Sequence, residues 1–132
     1  MTERLFVYGT LMRGSSHPMA QELAARASYL GAARYNGRLY RITHYPGVVA
    51  SRMSDEWVAG DVYELPDTVL LTALDRYEGC GPDDARPTQY LRRLQPVTLS
   101  DGISVEAWVY VYNWPVEKLT RIVSGRFDAV EP

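Results

Sequence analysis

The sequence predicts an α+β fold in which a small mixed or mostly antiparallel β-sheet closes into a barrel flanked by short helices. The order of elements indicates this class, since a strand, a helix, several strands, a second helix, a hairpin and a short helix follow one another. The strands are short and numerous, and closure would remove exposed sheet edges. A length of 132 residues with 46% hydrophobic content predicts one domain, residues 1–132, with a single core.

The first strand and the first helix frame a glycine-containing loop. Residues 5–8 form a short apolar run that stops at Gly9, which is typical of a buried strand. A loop follows over residues 9–14. Ser15 or Ser16 is predicted to cap a helix that tolerates Pro18 in its first turn. Helical spacing puts three residues on the buried face, namely Met19, Leu23 and Ala27.

The middle of the chain reads as strands. Residues 28–41 carry two glycines among aromatic and aliphatic residues, and they predict either two strands or one long bent strand. A turn at residues 45–47 leads into a strand at 48–50. Residues 57–65 predict another strand, because apolar residues dominate there and only two acidic residues interrupt them.

The helix opened by Pro66 and Asp67 ends on a carboxylate that breaks its pattern. Its buried stripe is followed by Glu78, four residues after Leu74 and on the same face. Burial and the negative end of the helix dipole both disfavour the charged form, so the pKa of Glu78 would be raised. Alternatively, the helix frays at Tyr77, Gly79 caps it, and Glu78 turns to solvent. The stripe itself consists of Leu70, Leu71, Leu74 and Tyr77.

The last third predicts a loop, a hairpin and a short helix. Residues 79–88 are rich in Gly, Pro and Asp and form a loop longer than usual. Residues 90–99 and 103–112 form a hairpin around a turn at 100–102. The second hairpin strand is apolar or aromatic on both faces, which favours a central position. Residues 116–124 predict a short helix with Leu119, Ile122 and Val123 inward and Gly125 as its cap.

Composition and charge exclude several function classes. A net charge of −2 argues against a nucleic-acid binder. The arginine clusters are predicted to be solvated strand faces, with one of them holding an anionic substrate as the alternative. No apolar run is long enough to span a membrane, and the N-terminus does not resemble a signal peptide. The two arginine clusters consist of Arg34, Arg38 and Arg41, and of Arg92 and Arg93.

The cysteine and histidine content argues against a disulfide framework and against a metal site. Cys80 is the single cysteine, so an intrachain disulfide is excluded and a cytoplasmic location is expected. A nearby histidine is absent from its motif, so we expect an inert loop thiol. His17 and His44 are far apart and lack ligand partners; His17 is predicted to lie on the surface at a helix start, and His44 is predicted to lie in a loop. We therefore expect no metal site and no cofactor.

The loop after the first strand has the composition of an anion-binding loop. A buried strand leads into Gly9, a hydroxyl at Thr10, and a further glycine before the helix. Successive backbone N–H groups in such a loop can bind an anion, assisted by the helix N-terminus. The segment has neither a P-loop nor a dinucleotide fingerprint. The alternative is a strand-to-helix turn that needs glycine for its backbone angles.

Seven short segments match a known family in order: residues 6–14, 45–47, 60–63, 74–79, 90–92, 109–112 and 124–125. Together they resemble the γ-glutamylcyclotransferase-like family over nearly the whole chain. The fold implied is that family's small β-barrel flanked by helices. The resemblance departs at residue 10, where Thr replaces a common Ser, and at residues 125–127, where Gly-Arg-Phe replaces an acidic residue and Trp.

The resemblance also implies site residues. Glu78 matches the family's catalytic glutamate, and the loop after the first strand would line the cavity and bind the glutamyl group through backbone N–H groups. Tyr90 and Tyr110 match aromatic positions at or near the cavity. Cys80, directly after Gly79, is similar to members acting on γ-glutamyl-amine crosslinks. The implied loop residues are Tyr8, Gly9, Thr10 and Leu11.

Together these observations predict an enzyme that acts on a small-molecule γ-glutamyl amide. It would release an amine or amino acid and form 5-oxoproline, with the substrate's own α-amine as nucleophile and Glu78 as general acid and base. One rival hypothesis is a non-catalytic metabolite-binding module on the same cavity, in which Glu78 only pairs with a ligand amine. Another is a structural subunit that joins a partner through its aromatic strand face. A homodimer is compatible with each.

Overall fold

The computed structural model describes residues 3–9, 11–12 and 17–127, and within them it contains two helices and seven strands. None of the helices in this described part is long and apolar enough to cross a membrane. The strands are β1 (Glu3–Val7), β2 (Ser28–Arg41), β3 (Pro46–Ala50), β4 (Trp57–Leu65), β5 (Tyr90–Leu99), β6 (Ser104–Tyr112) and β7 (Thr120–Arg121); the helices are α1 (Pro18–Arg26) and α2 (Thr68–Tyr77).

Five strands close into a mixed barrel, which confirms the predicted fold class. They follow the order β1, β4, β2, β3 and β6, and β6 returns to pair with β1. The β1–β6 and β3–β6 pairings are parallel and the other pairings in this ring are antiparallel. Strand β5 pairs with β6 and also reaches β2, while the short β7 pairs with β2. Every strand of the ring therefore has neighbours on both sides.

Strand β2 resolves one open alternative, because residues 28–41 form one long bent strand. Its register against β4 shifts between Tyr29 and Gly31, and Gly31 has a φ of +149°. Beyond this bulge the strand pairs first with β4 and then with β3. A bulge bends a strand and increases its twist, so a single strand can border two sides of the barrel.

The buried residues form two layers, which we call the barrel core and the outer core. Alternation along β6 separates them, since Val109 faces the barrel core and Tyr110 the outer core. Only the outer core includes residues of α1 and α2. The barrel core contains Phe6, Tyr8, Ala33, Tyr35, Leu39, Val48, Val58, Val62, Val97, Ala107, Val109, Val111 and Phe127; the outer core contains Leu5, Val7, Leu11, Ala20, Leu23, Tyr63, Leu65, Leu70, Leu71, Leu74, Tyr90 and Tyr110.

Side chains cap the N-termini of both helices. Asp67 caps α2 by accepting hydrogen bonds from the backbone N–H groups of Val69 and Leu70, at 3.1 and 3.2 Å. His17 caps α1, with its Nδ1 accepting from the Met19 N–H at 3.1 Å. The prediction of a serine cap is therefore wrong, and Ser15 and Ser16 themselves lie outside the described residues. An imidazole nitrogen thus accepts the hydrogen bond that a serine hydroxyl was predicted to accept.

The predicted helix over residues 116–124 is wrong, because this segment pairs with the barrel instead. Thr120 and Arg121 form β7 against β2, and the Ile122 N–H donates to the Leu39 carbonyl at 2.7 Å. Val123, expected inward, is 78% exposed. Unused hydrogen-bonding groups on β2 therefore outweigh the weak helical periodicity of a short segment.

The chain then passes close to β4 and ends its described part in the barrel core. Gly125 has a φ of +72°, and a Cβ there would lie 2.0 Å from the Trp57 carbonyl oxygen. Its own carbonyl accepts from the Ala59 N–H at 2.7 Å. Phe127 is 3% exposed, and the Arg41 guanidinium carbon lies 5.3 Å from its ring centroid. Phenylalanine therefore packs at the position where the resemblance leads one to expect Trp.

Candidate active site

A cavity of about 440 Å³ opens where the loop after β1, the end of α2 and the β5–β6 hairpin meet. Its floor is the barrel wall, because Phe6 and Tyr8 of the barrel core reach it. Of the seven predicted site residues, six line this cavity, and Thr10 lies outside the described residues. The lining residues are Phe6, Val7, Tyr8, Gly9, Leu11, His17, His44, Tyr45, Pro46, Tyr77, Glu78, Gly79, Gln89, Tyr90 and Tyr110.

The end of α2 places Glu78 at this cavity. Helix α2 ends at Tyr77, and Glu78 is its C-cap, with its N–H donating to the Leu74 carbonyl at 2.8 Å. Gly79 follows with a φ of +75°, as a helix-terminating glycine does. Each of the two predicted alternatives is therefore half right. The helix ends and Gly79 caps it, but the Glu78 side chain is half-buried and lines the cavity.

This position raises the pKa of Glu78 to about 7, first because burial penalises its charged form and second because the Asp75 carboxylate is near. Within the described part of the chain, no residue forms a hydrogen bond or salt bridge with the Glu78 carboxylate. Near neutral pH the group can accept or release a proton, as a general acid and base must.

Asp75 lies one helical turn before Glu78 and holds two groups from the hairpin. Its carboxylate accepts from Arg92 at 2.7 Å (Nε to Oδ1) and 3.1 Å (Nη2 to Oδ2). The Tyr110 hydroxyl donates to Oδ1 at 2.7 Å. The guanidinium carbon of Arg92 also lies 4.3 Å from the centroid of the Trp108 ring. Arg92, expected on a solvated face, is therefore fixed in a partly buried ion pair.

Three tyrosines of the cavity use their hydroxyl groups inside the protein. Tyr8 donates to the carbonyl oxygen of Tyr110 at 2.5 Å, and Tyr90 donates to the carbonyl oxygen of Pro46 at 2.5 Å. Tyr110 donates to Asp75, as above. Burial is the largest cause that raises the pKa of each of these tyrosines. All three hydroxyls therefore remain protonated at physiological pH.

Gly9 allows two loops to approach each other beside the cavity. A Cβ at this position would lie 2.9 Å from Cγ and Cδ of Pro46, closer than side chains normally pack. The Met12 N–H donates to the Gly9 carbonyl at 3.0 Å and closes a turn. The glycine is thus needed for close packing, while the φ of Gly9 lies outside the left-handed region. The anion-binding role of this loop remains a prediction.

Several cavity residues were not predicted from the sequence. His17 lies at the start of α1 and His44 lies in a loop, both as predicted, but the sequence did not indicate that they line the cavity. The His17 ring also lies 2.9 Å from the Tyr77 hydroxyl, measured at Nε2. The Gln89 side-chain N–H donates to the Tyr45 hydroxyl at 3.0 Å. Only His17 had a usable signal, its place before Pro18 at a helix start; the others reach the cavity through tertiary packing.

Cys80 stands apart from the cavity. It is half-buried, it is not among the lining residues, and burial raises the pKa of its thiol to about 11. The thiolate, which is the reactive form, is therefore scarce near neutral pH. A search of the described residues finds no group of three or more His, Cys, Asp or Glu side chains arranged to hold a metal ion.

Comparison with known proteins identifies the family. The family described as "Gamma-glutamyl cyclotransferase, AIG2-like" matches residues 5–129. A γ-glutamylcyclotransferase family protein, YtfP of Citrobacter rodentium, is 35% identical over 126 residues, which are 94% of each chain. Gamma-glutamylaminecyclotransferase of Rattus norvegicus is 31% identical over 123 residues, 80% of this chain and 75% of the relative.

Solved structures agree with this assignment. The crystal structure of an AIG2-like protein from Mus musculus superposes with a TM-score of 0.76 at 25% identity, over 99% of this chain and 91% of that one. The barrel fold of this chain is thus shared with a solved AIG2-like protein. The chain is a member of the γ-glutamylcyclotransferase family and an enzyme of that type.

Proposed function

We propose that this enzyme releases an amine or amino acid from a γ-glutamyl amide with formation of 5-oxoproline, and that Glu78 is its general acid and base. The observation that carries the proposal is the position of Glu78. Its carboxyl group faces a cavity of suitable size and has a pKa raised to about 7. A carboxyl group that titrates near neutral pH is suited to proton transfer in both directions.

In the proposed reaction the α-amine nitrogen of the substrate attacks the γ-carbonyl carbon, and the C–N bond to the leaving amine breaks. Glu78 accepts a proton from the attacking nitrogen and delivers a proton to the leaving nitrogen. The products together contain every atom of the substrate, so no water is consumed. The nucleophile comes from the substrate, and the main task of the enzyme is to fold the glutamyl chain so that nitrogen and carbonyl meet.

The loop after β1 would hold the glutamyl group in this folded form. Backbone N–H groups between Gly9 and Leu11 are proposed to bind the α-carboxylate, and Thr10 is part of the same segment. The tight contact between Gly9 and Pro46 supports this role, because it holds the loop against the cavity wall. Tyr90 and Tyr110 are proposed to bind or orient the substrate.

The leaving group is proposed from the relatives. One of them is named a gamma-glutamylaminecyclotransferase, so a γ-glutamyl amine is a reasonable first substrate class. The cavity lining includes aromatic and amide side chains, Tyr45, Tyr77 and Gln89, and none of these three carries a charge that would exclude an uncharged leaving group. Free γ-glutamyl amino acids are the second class to test.

The test is release of 5-oxoproline from a panel containing γ-glutamyl-ε-lysine, γ-glutamyl alkylamines, γ-glutamyl amino acids and glutathione. Glu78→Gln keeps the size of the side chain but removes proton transfer, so we expect a loss of about 10²–10⁴ in kcat. Glu106→Gln is the matched control, since Glu106 lies exposed on β6 away from the cavity. It should retain wild-type turnover.

A Glu78→Gln variant that is folded and fully active would overturn the role of Glu78. Release that disappears with this variant and survives in the control would establish it and identify the substrate class at the same time. No release across the whole panel from wild-type enzyme would count against the proposed reaction.

A further inference from the structure

Tyr90 and Tyr110 lie side by side at the cavity. In the β5–β6 hairpin Tyr90 pairs with Tyr112 and Arg92 pairs with Tyr110, so Tyr90 and Tyr110 are diagonal neighbours on one face. Both line the cavity that contains Glu78. The Tyr110 hydroxyl also donates to Asp75, one helical turn before Glu78, and the Glu78 charge contributes to the raised pKa of both Tyr90 and Tyr110, so the carboxylate lies near both phenols.

The hydroxyl protons of these two tyrosines are already committed. Tyr90 donates to the Pro46 carbonyl and Tyr110 donates to the Asp75 carboxylate. A phenol has one proton to donate, so each oxygen can only accept a hydrogen bond from a ligand in the cavity. Burial raises the pKa of both groups, so neither loses its proton near neutral pH.

Tyr8 differs from the other two, although it lines the same cavity. It donates to the Tyr110 carbonyl, and the backbone N–H of Val48 lies against the same oxygen and opposes the rise in its pKa. Its oxygen is thus engaged from two sides by the barrel. Tyr8 therefore ties the end of β1 to neighbouring strands, and its capacity to accept from a ligand is reduced.

The oxygens of Tyr90, Tyr110 and Glu78 are three acceptors that lie near one another in this cavity. A primary ammonium carries three N–H donors, which matches three acceptors, and its charge complements the carboxylate. We infer that these three residues form an acceptor-only subsite for the primary α-ammonium of a γ-glutamyl substrate, an inference that rests on the proposed function. Pro46 and Asp75 are positioning groups, because they hold the hydroxyl protons away from the ligand.

The subsite has a consequence for specificity. A substrate whose α-nitrogen is acylated or missing offers fewer donors, and it leaves buried acceptors without partners. The same arrangement puts the ammonium next to the base that must deprotonate it before ring closure. Substrate selection and activation of the nucleophile would therefore use one set of atoms.

The test compares two probes that differ only in the ammonium group. One is L-2-amino-5-butoxypentanoate, which lacks the γ-carbonyl and so cannot cyclise, and the other is its des-amino analogue, 5-butoxypentanoate. Calorimetric binding is measured on the wild-type protein, which is the parent and keeps Glu78, and on the same protein carrying Tyr110→Phe or Tyr90→Phe. Tyr110→Phe is the main variant, because Asp75 keeps both hydrogen bonds from Arg92. Thermal melting checks that each protein is folded.

We expect the parent protein to prefer the ammonium probe. Each Tyr→Phe change should weaken the binding of this probe about tenfold, while the des-amino probe changes by less than about twofold. Tyr35→Phe is the matched control. Tyr35 is a buried tyrosine of the barrel core, its hydroxyl donates to Gln95, and it does not line the cavity. It should leave the binding of both probes unchanged.

Three outcomes would overturn the inference: no preference of the parent for the ammonium probe, including no binding of either; equal losses for both probes; or an unchanged affinity of the ammonium probe in Tyr110→Phe. The proposed function is tested separately by 5-oxoproline release from N5-butyl-L-glutamine with wild-type enzyme. An ammonium preference without release would support the subsite and count against the reaction, whereas release without the preference would do the reverse.

Discussion

The barrel core and the outer core are built from the same strands but have different contents. In the barrel core, β6 contributes Ala107, Val109 and Val111, and their neighbours are almost all hydrocarbon. On the other face of the same strand lie Trp108 and Tyr110, which contact the partly buried pair of Arg92 and Asp75. One alternating strand thus separates a dry interior from a layer that contains a cavity.

The difference shows how this fold combines rigidity with chemistry. The closed ring satisfies its backbone hydrogen bonds and fills its interior mostly with apolar side chains, and the hydroxyls of its Tyr8 and Tyr35 are hydrogen-bonded. The helices cover only part of the outer face, and the uncovered part leaves room for a half-buried carboxylate, Glu78. The proposed catalytic carboxylate therefore lies in a layer outside the apolar interior of the barrel.

The largest expected effect comes from placing a carboxylate in the wrong layer. Val109 is 0% exposed in the barrel core, where a charge has neither water nor a partner. Val109→Glu should cost about 4 kcal/mol or more in the free energy of unfolding, a large part of the stability of a small domain. Loss of a cooperative transition in circular dichroism would show it.

Val123→Glu is the matched control for this change, because Val123 is 78% exposed. It should alter the free energy of unfolding by less than about 0.5 kcal/mol. A folded Val109→Glu protein with near-wild-type stability would mean that the barrel core is not the dry interior described above.

A smaller effect of opposite sign is expected in the outer core. Between pH 4.5 and about 7 the folded protein binds more protons at Glu78 than the unfolded chain, so wild-type stability falls as pH rises through this window. Glu78→Gln removes this loss. The variant should resemble wild type at low pH and exceed it at pH 8 by about 3 kcal/mol. Urea denaturation at several pH values measures the difference.

A variant that is less stable than wild type at pH 8 would contradict this expectation. It would indicate that the ionised Glu78 carboxylate makes a favourable interaction in the folded protein. Glu106→Gln, at an exposed position of β6, again provides the control, and its stability should differ from that of wild type by the same amount at every pH.

The smallest expected effect concerns the neighbour of Glu78. The Asp75 charge is the second cause that raises the pKa of Glu78, after burial. Asp75→Asn removes that charge and frees the Arg92 guanidinium, and both changes lower the pKa of Glu78. The rising limb of kcat/KM against pH should therefore move below about 7 while staying above 4.5, since burial remains.

Asp83→Asn, in the exposed part of the following loop, is the control and should leave this limb in place. A limb that stays near neutral pH in Asp75→Asn would show that burial alone sets the pKa of Glu78. A shift in the opposite direction would assign the limb to another group.

Much of the fold could be predicted because it depends on local patterns. The hairpin of β5 and β6 follows from alternation and a turn, and α2 follows from its leucine stripe and the Asp67 cap. The end of the chain could not be predicted, because β7 exists only where β2 offers unpaired backbone groups. The cap of α1 differs from the predicted serine because the His17 side chain accepts the hydrogen bond from the Met19 N–H.

The candidate site divides in the same way. Glu78 was conspicuous in the sequence because a carboxylate followed a helical stripe, and a resemblance in ordered motifs pointed to Tyr90 and Tyr110. Their hydrogen-bond partners, Pro46 and Asp75, had no signal of this kind. Such partners lie 35 or more residues away in the chain, and side-chain periodicity carries no information about them.

The sequence by itself determined the fold class, the strands and helices with strong periodicity, and the residue whose chemistry conflicts with its surroundings. Only the tertiary structure decided that the Glu78 carboxylate faces a cavity and that the tyrosine protons are committed elsewhere. The physical reason is the range of the interactions. Hydrophobic patterning and caps act within a few residues, whereas desolvation and hydrogen-bond direction depend on groups that meet only when the barrel closes.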